Sequence, residues 1–274
     1  MSILKRTRLA AGITVCIAAL TLGACTTTTS SGVVGANRQQ LLLVSSAEIN
    51  QMANEAYGEM KAEAQKQNIL NKDQRLLNRV RAIAARLQPQ TSVFRSDAPG
   101  WNWEVNVLES DQLNAFCMPG GKIMFYSGLI EKLDLSDDEI AVVMGHEIAH
   151  ALREHSREQM SQALAAQTAI GIGAALLGLG RGTADLAATG YQALIATRFS
   201  RADETEADRI GLELSARAGY DPRAGVTLWQ KMMAANEGAA PPEILSSHPA
   251  SANRVREIQS LLPAVTPLYE AARR

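Results

Sequence analysis

The stretch His146-Glu147-Ile148-Ala149-His150 constrains this chain more than any other. Ser136 is followed three residues later by Glu139, a pairing that satisfies first-turn backbone N–H groups, so a helix is expected to start there. Ile140, Val143, Met144 and Ala151 recur at helical spacing and should bury most of that helix. His146 and His150, four residues apart, then point to one side. Two imidazoles on adjacent turns can offer two nitrogens to one zinc ion at about 2.0–2.1 Å. Glu147 cannot easily share their geometry as a ligand, but it can reach a water on the metal, where a general base would stand. Two buried histidines and an ordinary helical glutamate would give the same letters by chance.

The chain has 274 residues, 46% of them hydrophobic, enough for one sizeable domain or one and a half. A net charge of −1 gives no reason to expect a nucleic-acid partner. Residues 1–24 carry a basic head (Lys5, Arg6, Arg8) and an apolar run from Leu9 to Leu22, too short for a comfortable membrane span and suited to a signal peptide. Leu22-Gly23-Ala24-Cys25 resembles a bacterial lipobox, in which Cys25 is acylated and becomes the first mature residue; an ordinary signal peptide containing a cysteine is the alternative. Removing the three basic residues of the head would leave a net charge near −4. Residues 25–44, with the polar run Thr26 to Gly32, are expected to be the acylated cysteine and a flexible tether. Thr26 is not the aspartate that would favour inner-membrane retention, so the expected place is the outer membrane, facing the periplasm. With Cys16 removed and Cys25 lipidated, Cys117 stands alone, and no intrachain disulfide remains possible. Cys117 could ligate metal or act as a small hydrophobe.

Beyond the tether, the spacing predicts helices from Ser45 to about Gln67 and from Asp73 to Leu87. Trp101–Leu108, Leu113–Phe116 and Lys122–Tyr126 read as strands, with Pro119-Gly120-Gly121 a turn between the last two. The histidine helix is expected to run on through Arg153, Glu154 and His155. His155, five residues past His150, would then point away from the pair and be structural. Ala163 to Leu179 is uncharged and at the lower limit for a membrane span; a buried or membrane-grazing hairpin fits it better.

Another helix is expected around Glu204-Thr205-Glu206-Ala207-Asp208. Glu204 and Asp208 share a face. Two histidines need a third protein ligand if zinc is to keep an open position, and Glu204 suits that need. A ligating histidine also needs its other ring nitrogen held, which Asp208 could do. Alternatively these acids form a solvated face with Arg201 and Arg209, and Glu206 reads as a residue of that kind. Gly219 should close this helix, Trp229 and Leu228 should be core, Pro241-Pro242 should begin the loop that brings His248, and Ala250–Leu262 should be a last helix.

HExxH followed by E-x-x-A-D resembles the gluzincin peptidase family that contains the CAAX prenyl proteases, the membrane protease HtpX and the periplasmic proteases BepA and LoiP. Asn114-Ala115-Phe116, Pro119-Gly120-Gly121, Ala218-Gly219-Tyr220-Asp221-Pro222 and His248-Pro249 extend the resemblance over about 45–262. It implies an α+β, mostly helical zincin domain over 45–274, with a small sheet beside the HExxH helix. It also implies one zinc per chain on His146, His150 and Glu204, with Glu147 as base. Asp208 would orient a ligand, His146 first; Asn114 and Ala115 would hold substrate backbone; His248 would cap the metal or stabilise the oxyanion. The expected function is a zinc endopeptidase of the bacterial cell envelope acting on misfolded or misassembled proteins. The alternative is a latent or inactive zinc-stabilised chaperone or adaptor for outer-membrane proteins. Unlike the multispanning members, the chain has no series of long apolar spans, and unlike BepA it has no helical repeat array after the protease part.

Overall fold

The computed structural model describes residues 25–176, 198–235, 243–249 and 251–274; residues 1–24, expected to be a signal peptide, the end of the Ala163–Leu179 stretch, Pro241-Pro242 and Ala250 lie outside them. The described chain is α+β. Strands β1 (Cys25–Thr26) and β2 (Gln40–Leu41) precede helices α1 (Ser46–Lys66) and α2 (Gln74–Leu87). Strands β3 (Glu104–Leu108), β4 (Ala115–Met118) and β5 (Lys122–Tyr126) follow, then helices α3 (Ser127–Lys132), α4 (Asp137–Leu152) and α5 (His155–Leu176). The rest is helical: α6 (Arg201–Arg217), α7 (Ala224–Ala235), α8 (Glu243–Ser247) and α9 (Ala252–Ala272).

Local chemistry starts the long helices. Ser45, Ser136 and Ser200 each accept from the backbone N–H three residues on, while the acid there (Glu48, Glu139, Asp203) reaches back to the cap's own N–H. Gly219, at φ +77°, follows the end of α6 in a conformation that a side chain would strain.

β5 is the centre of a three-stranded sheet, parallel to β3 and antiparallel to β4. Ala115 stands opposite Phe125 and Cys117 opposite Ile123, so the second strand lies later than the expected Leu113–Phe116. Pairing through the Gly120-Gly121 turn, with φ of +78° and +83°, sets that register. Among the described residues no strand lies outside β4, so β4 is an edge, and it packs beside α4.

Helices α4 and α6 cross in close contact because glycines face each other. A Cβ on Gly145 would lie 2.6 Å from the Gly211 carbonyl oxygen, and one on Gly211 would lie 2.5 Å from the His146 backbone nitrogen. Ser215 Oγ also donates across the crossing to the Ala141 carbonyl at 3.0 Å. This approach brings the Glu204 helix to the histidine helix.

Three expectations are corrected. Residues 27–44 are not a flexible tether: Thr29, Val34, Ala36 and Gln40 are buried, and their backbone and side chains bond to the domain. The histidine helix does not run on through His155. It ends at Leu152, and Glu154 adopts φ +51°, a left-handed turn that starts α5 in a new direction. No glycine announces this break. Glu154 is held there by Ser46 Oγ at 2.7 Å and Arg157 Nη1 at 2.6 Å, which offset a strain of about 1–2 kcal/mol. Finally, α9 continues past Leu262 to Ala272 despite Pro263 and Pro267. Its apolar face does not end there, since Val265 is fully buried and Leu268 and Tyr269 pack on the core. Up to Leu176 the Ala-rich stretch is one helix, and no helix among the described residues is long and apolar enough to cross a membrane.

Candidate metal centre

His146 and His150 from α4, Glu204 from the first turn of α6 and His248 just after α8 bring four donor atoms within 4.8 Å of one another, all buried. His146 Nε2 is 3.1 Å from His150 Nε2 and 3.6 Å from Glu204 Oε2; His150 Nε2 is 3.4 Å from Glu204 Oε1. Tetrahedral zinc with bonds near 2.0–2.1 Å separates neighbouring ligand atoms by about 3.3 Å. Cys117, read as an optional ligand, is not in the group; it is buried and acts as a small core residue.

The outer nitrogens of the two α4 histidines settle what the inner ones do. His146 Nδ1 lies 3.0 Å from Asp208 Oδ1, a carboxylate that can only accept. His150 Nδ1 lies 2.9 Å from His155 Nδ1, and His155 Nε2 lies 3.2 Å from Glu206 Oε2. The network is satisfied when His155 donates to Glu206 and accepts from His150. Both Nε2 atoms are then lone pairs facing each other at 3.1 Å. Without a cation that contact is repulsive; around one it is a ligand pair.

Each holder is itself held. Arg254 Nε and Nη2 donate to the two oxygens of Asp208 at 2.7 and 2.6 Å, and its guanidinium lies 3.5 Å over the Trp229 ring, which meets His146 edge-on. Arg254 Nη1 also stands 2.6 Å from Glu204 Oε2, out of hydrogen-bond alignment, so that oxygen keeps a free lone pair. Phe199 stacks on His150 with ring centres 3.9 Å apart.

Electrostatics suit a metal site. Burial pushes the His150 imidazole well below its usual value, leaving it neutral and able to ligate. Burial would raise Glu204, but the surrounding His248, His150 and His146 hold it well below the carboxylate range. Asp208 behaves likewise, with Arg254 and His146 outweighing burial. Glu147 goes the other way: burial raises its carboxyl, and among the described residues Oε1 has no hydrogen-bond partner, His248 Nε2 standing 3.7 Å away.

His248 Nδ1 lies 2.8 Å from Glu204 Oε1 and 3.2 Å from His146 Nε2, where a fourth donor would stand. Between His248, Ile244, Trp229 and Glu147 only about 10 Å³ is free, room for one water at most. The Ile244 N–H bonds to the Leu113 carbonyl at 3.1 Å, so α8 docks at the start of the β4 edge. There Asn114 Oδ1 accepts from the Ala115 N–H, and neither residue reaches the metal group.

His155, Glu206, Arg254 and Phe199 are the residues that sequence reasoning missed. His155 was expected to point away from His150, and the turn at Glu154 returns it. Glu206, read as solvated, is buried between His155 and Arg153 and its carboxyl is lowered to about 2, burial being outweighed by those two partners. Only a knowledge of which acids lie inside could have raised Arg254 from the sequence.

Residues 73–262 match the model of a family described as Peptidase family M48. The chain is 37% identical over 163 residues to the mitochondrial metalloendopeptidase OMA1 of Schizosaccharomyces pombe, covering 59% of this chain and 47% of that protein. It is 34% identical over 172 residues to the beta-barrel assembly-enhancing protease of Escherichia coli K12, covering 59% and 35%. To the bovine mitochondrial metalloendopeptidase OMA1 it is 33% identical over 190 residues, covering 64% and 36%. The chain thus spans about half, or less, of the length of these relatives.

Proposed function

The chain belongs to peptidase family M48, and on that premise we propose that it is a zinc metalloendopeptidase of the bacterial cell envelope that cleaves misfolded or misassembled proteins. The observation that carries this is the pair of inward lone pairs on His146 and His150 closed by Glu204, with the unpaired carboxylate of Glu147 beside them. Zinc held by these three residues supplies the Lewis acid that polarises a carbonyl and acidifies water. Glu147 takes the proton of the attacking water and passes it to the leaving amine; a burial-raised carboxyl is better matched to neutral pH for both transfers. Asp208 and His155 keep the two imidazoles in the ligating tautomer. Once α8 moves aside, an extended peptide adds to the edge of β4, which no strand covers among the described residues; Asn114 and Ala115 lie there, and backbone bonding makes few demands on side chains.

Chelation is the direct test. Degradation of an unfolded protein such as casein should stop with 1,10-phenanthroline and return with added zinc. Cleavage that persists without metal would overturn the metal-dependent mechanism, and absence of cleavage with zinc bound would favour a binding protein.

His248 and α8 stand in the places a water and a substrate strand would need, so the arrangement is a latent one. Replacing His248 by Ala should raise basal casein cleavage severalfold; a fall would instead assign His248 to transition-state stabilisation.

The envelope placement rests on the lipobox-like Leu22–Cys25 and on similarity to the E. coli protease, against the mitochondrial relatives. Acylated Cys25 would anchor the domain to the outer membrane, facing the periplasm.

A further inference from the structure

We infer that residues 27–44 form a strap that positions the metal ligand His150, with Arg38 as the positioning residue; this rests on the metal centre proposed above. An unbroken series of contacts runs from the strap to that ligand. Arg38 Nη1 and Nη2 clasp Glu158 at 2.6 and 2.9 Å, and Nη2 also reaches Asp203 at 2.6 Å and Glu206 at 3.1 Å. Gln40 Nε2 donates to the Arg153 carbonyl at 2.6 Å and to Glu158 at 2.8 Å. Arg153, fully buried, turns its guanidinium the other way: to Thr27 and Thr29 hydroxyls, to the Arg38 carbonyl, and through two bonds to Glu206. Glu206 holds His155 Nε2, and His155 Nδ1 holds His150 Nδ1.

Charge explains why the strap is needed. Three buried carboxylates, Glu158, Asp203 and Glu206, converge here, and His155, Asp203 and Glu206 place donor atoms as close together as a metal site would. Arg153 alone leaves them undercompensated; the second guanidinium comes from the strap and occupies the space a cation would take. Without Arg38, Glu206 would turn toward solvent or toward Arg153 alone, and His155 would lose the acceptor that fixes its tautomer. His150 would then no longer be forced to present Nε2 to the metal. The two ligands of α4 are therefore oriented by separate devices: Asp208 with Arg254 for His146, and His155 with a network closed from the N-terminal side for His150.

The test is zinc affinity of the full chain by chelator competition, together with the visible spectrum of its cobalt(II) form. Arg38→Ala should weaken zinc about tenfold, the lower end for loss of a residue that orients a metal-bound histidine, and shift the cobalt bands. Arg38→Lys, which keeps the charge but not the fork, should recover part of both. Lys231→Met, which breaks a remote ion pair with Glu139, should leave both unchanged. Folded Arg38→Ala with affinity within twofold of wild type and an unshifted spectrum would overturn the inference, as would an equal shift in Lys231→Met. If Arg38→Ala does not fold, Gln40→Leu is read by the same criteria. A wild-type chain that binds no zinc would instead remove the metal centre itself.

Discussion

Glu147→Gln is expected to lower the rate of peptide cleavage by about 10²–10⁴-fold, some 3–5 kcal/mol of barrier, while leaving zinc bound. The substitution keeps the side chain's size and removes only its charge and basicity. Among the described residues nothing donates a hydrogen bond to Glu147 Oε1, so the amide orphans no donor there, and the ligand atoms of His146, His150 and Glu204 are untouched. Stability gives an independent check. Burial raises the folded pKa of Glu147. A carboxyl raised in this way costs stability once pH exceeds its unfolded value. At pH 7 the metal-free variant should therefore melt no lower than the metal-free wild type. A variant that cleaves casein at the wild-type rate would remove Glu147 as base. One that loses its zinc would show that Glu147 holds the site together rather than working in it.

Gly211→Ala is expected to lower stability by about 1–3 kcal/mol or more and to weaken zinc by tenfold or more. Helix propensity alone predicts the opposite sign, since alanine gains about 1 kcal/mol over glycine within a helix. The methyl would stand 2.5 Å from the His146 backbone nitrogen and 2.7 Å from the Gly145 carbonyl carbon, and backbone atoms cannot swing aside. The two helices must separate, and Glu204 moves away from the histidines as they do. Gly58→Ala is the matched control, because a Cβ there meets nothing within 4 Å and propensity should act unopposed. Thermal melting and chelator competition on both variants give the comparison; a Gly211→Ala protein as stable as wild type would mean that the crossing is looser than described.

What could be read from the sequence was what is local. The capping boxes at Ser45 and Ser136, the inward face of α4 and the four-residue spacings His146–His150 and Glu204–Asp208 depend on neighbours along one helix, and the structure places all of them as the spacing requires. What could not be read depends on distant partners. Thr26 to Gly32 has a tether's composition, yet the strap that continues it is fixed by Arg38, whose acids lie 120, 165 and 168 residues away. The turn at Glu154 is stabilised by Ser46, 108 residues earlier, so the local sequence offers no breaker and spacing alone puts His155 on the wrong side. The last helix, expected to stop at Leu262, runs on to Ala272 because Val265 is buried beyond that point.

The central claim is that His146, His150 and Glu204 close on one zinc ion. Elemental mass spectrometry of the full chain, purified without added metal, tests it most directly. About one zinc per chain, absent from a folded His150→Ala variant, is the predicted result. A folded wild-type chain that carries no metal, and takes up none from micromolar zinc, would contradict it.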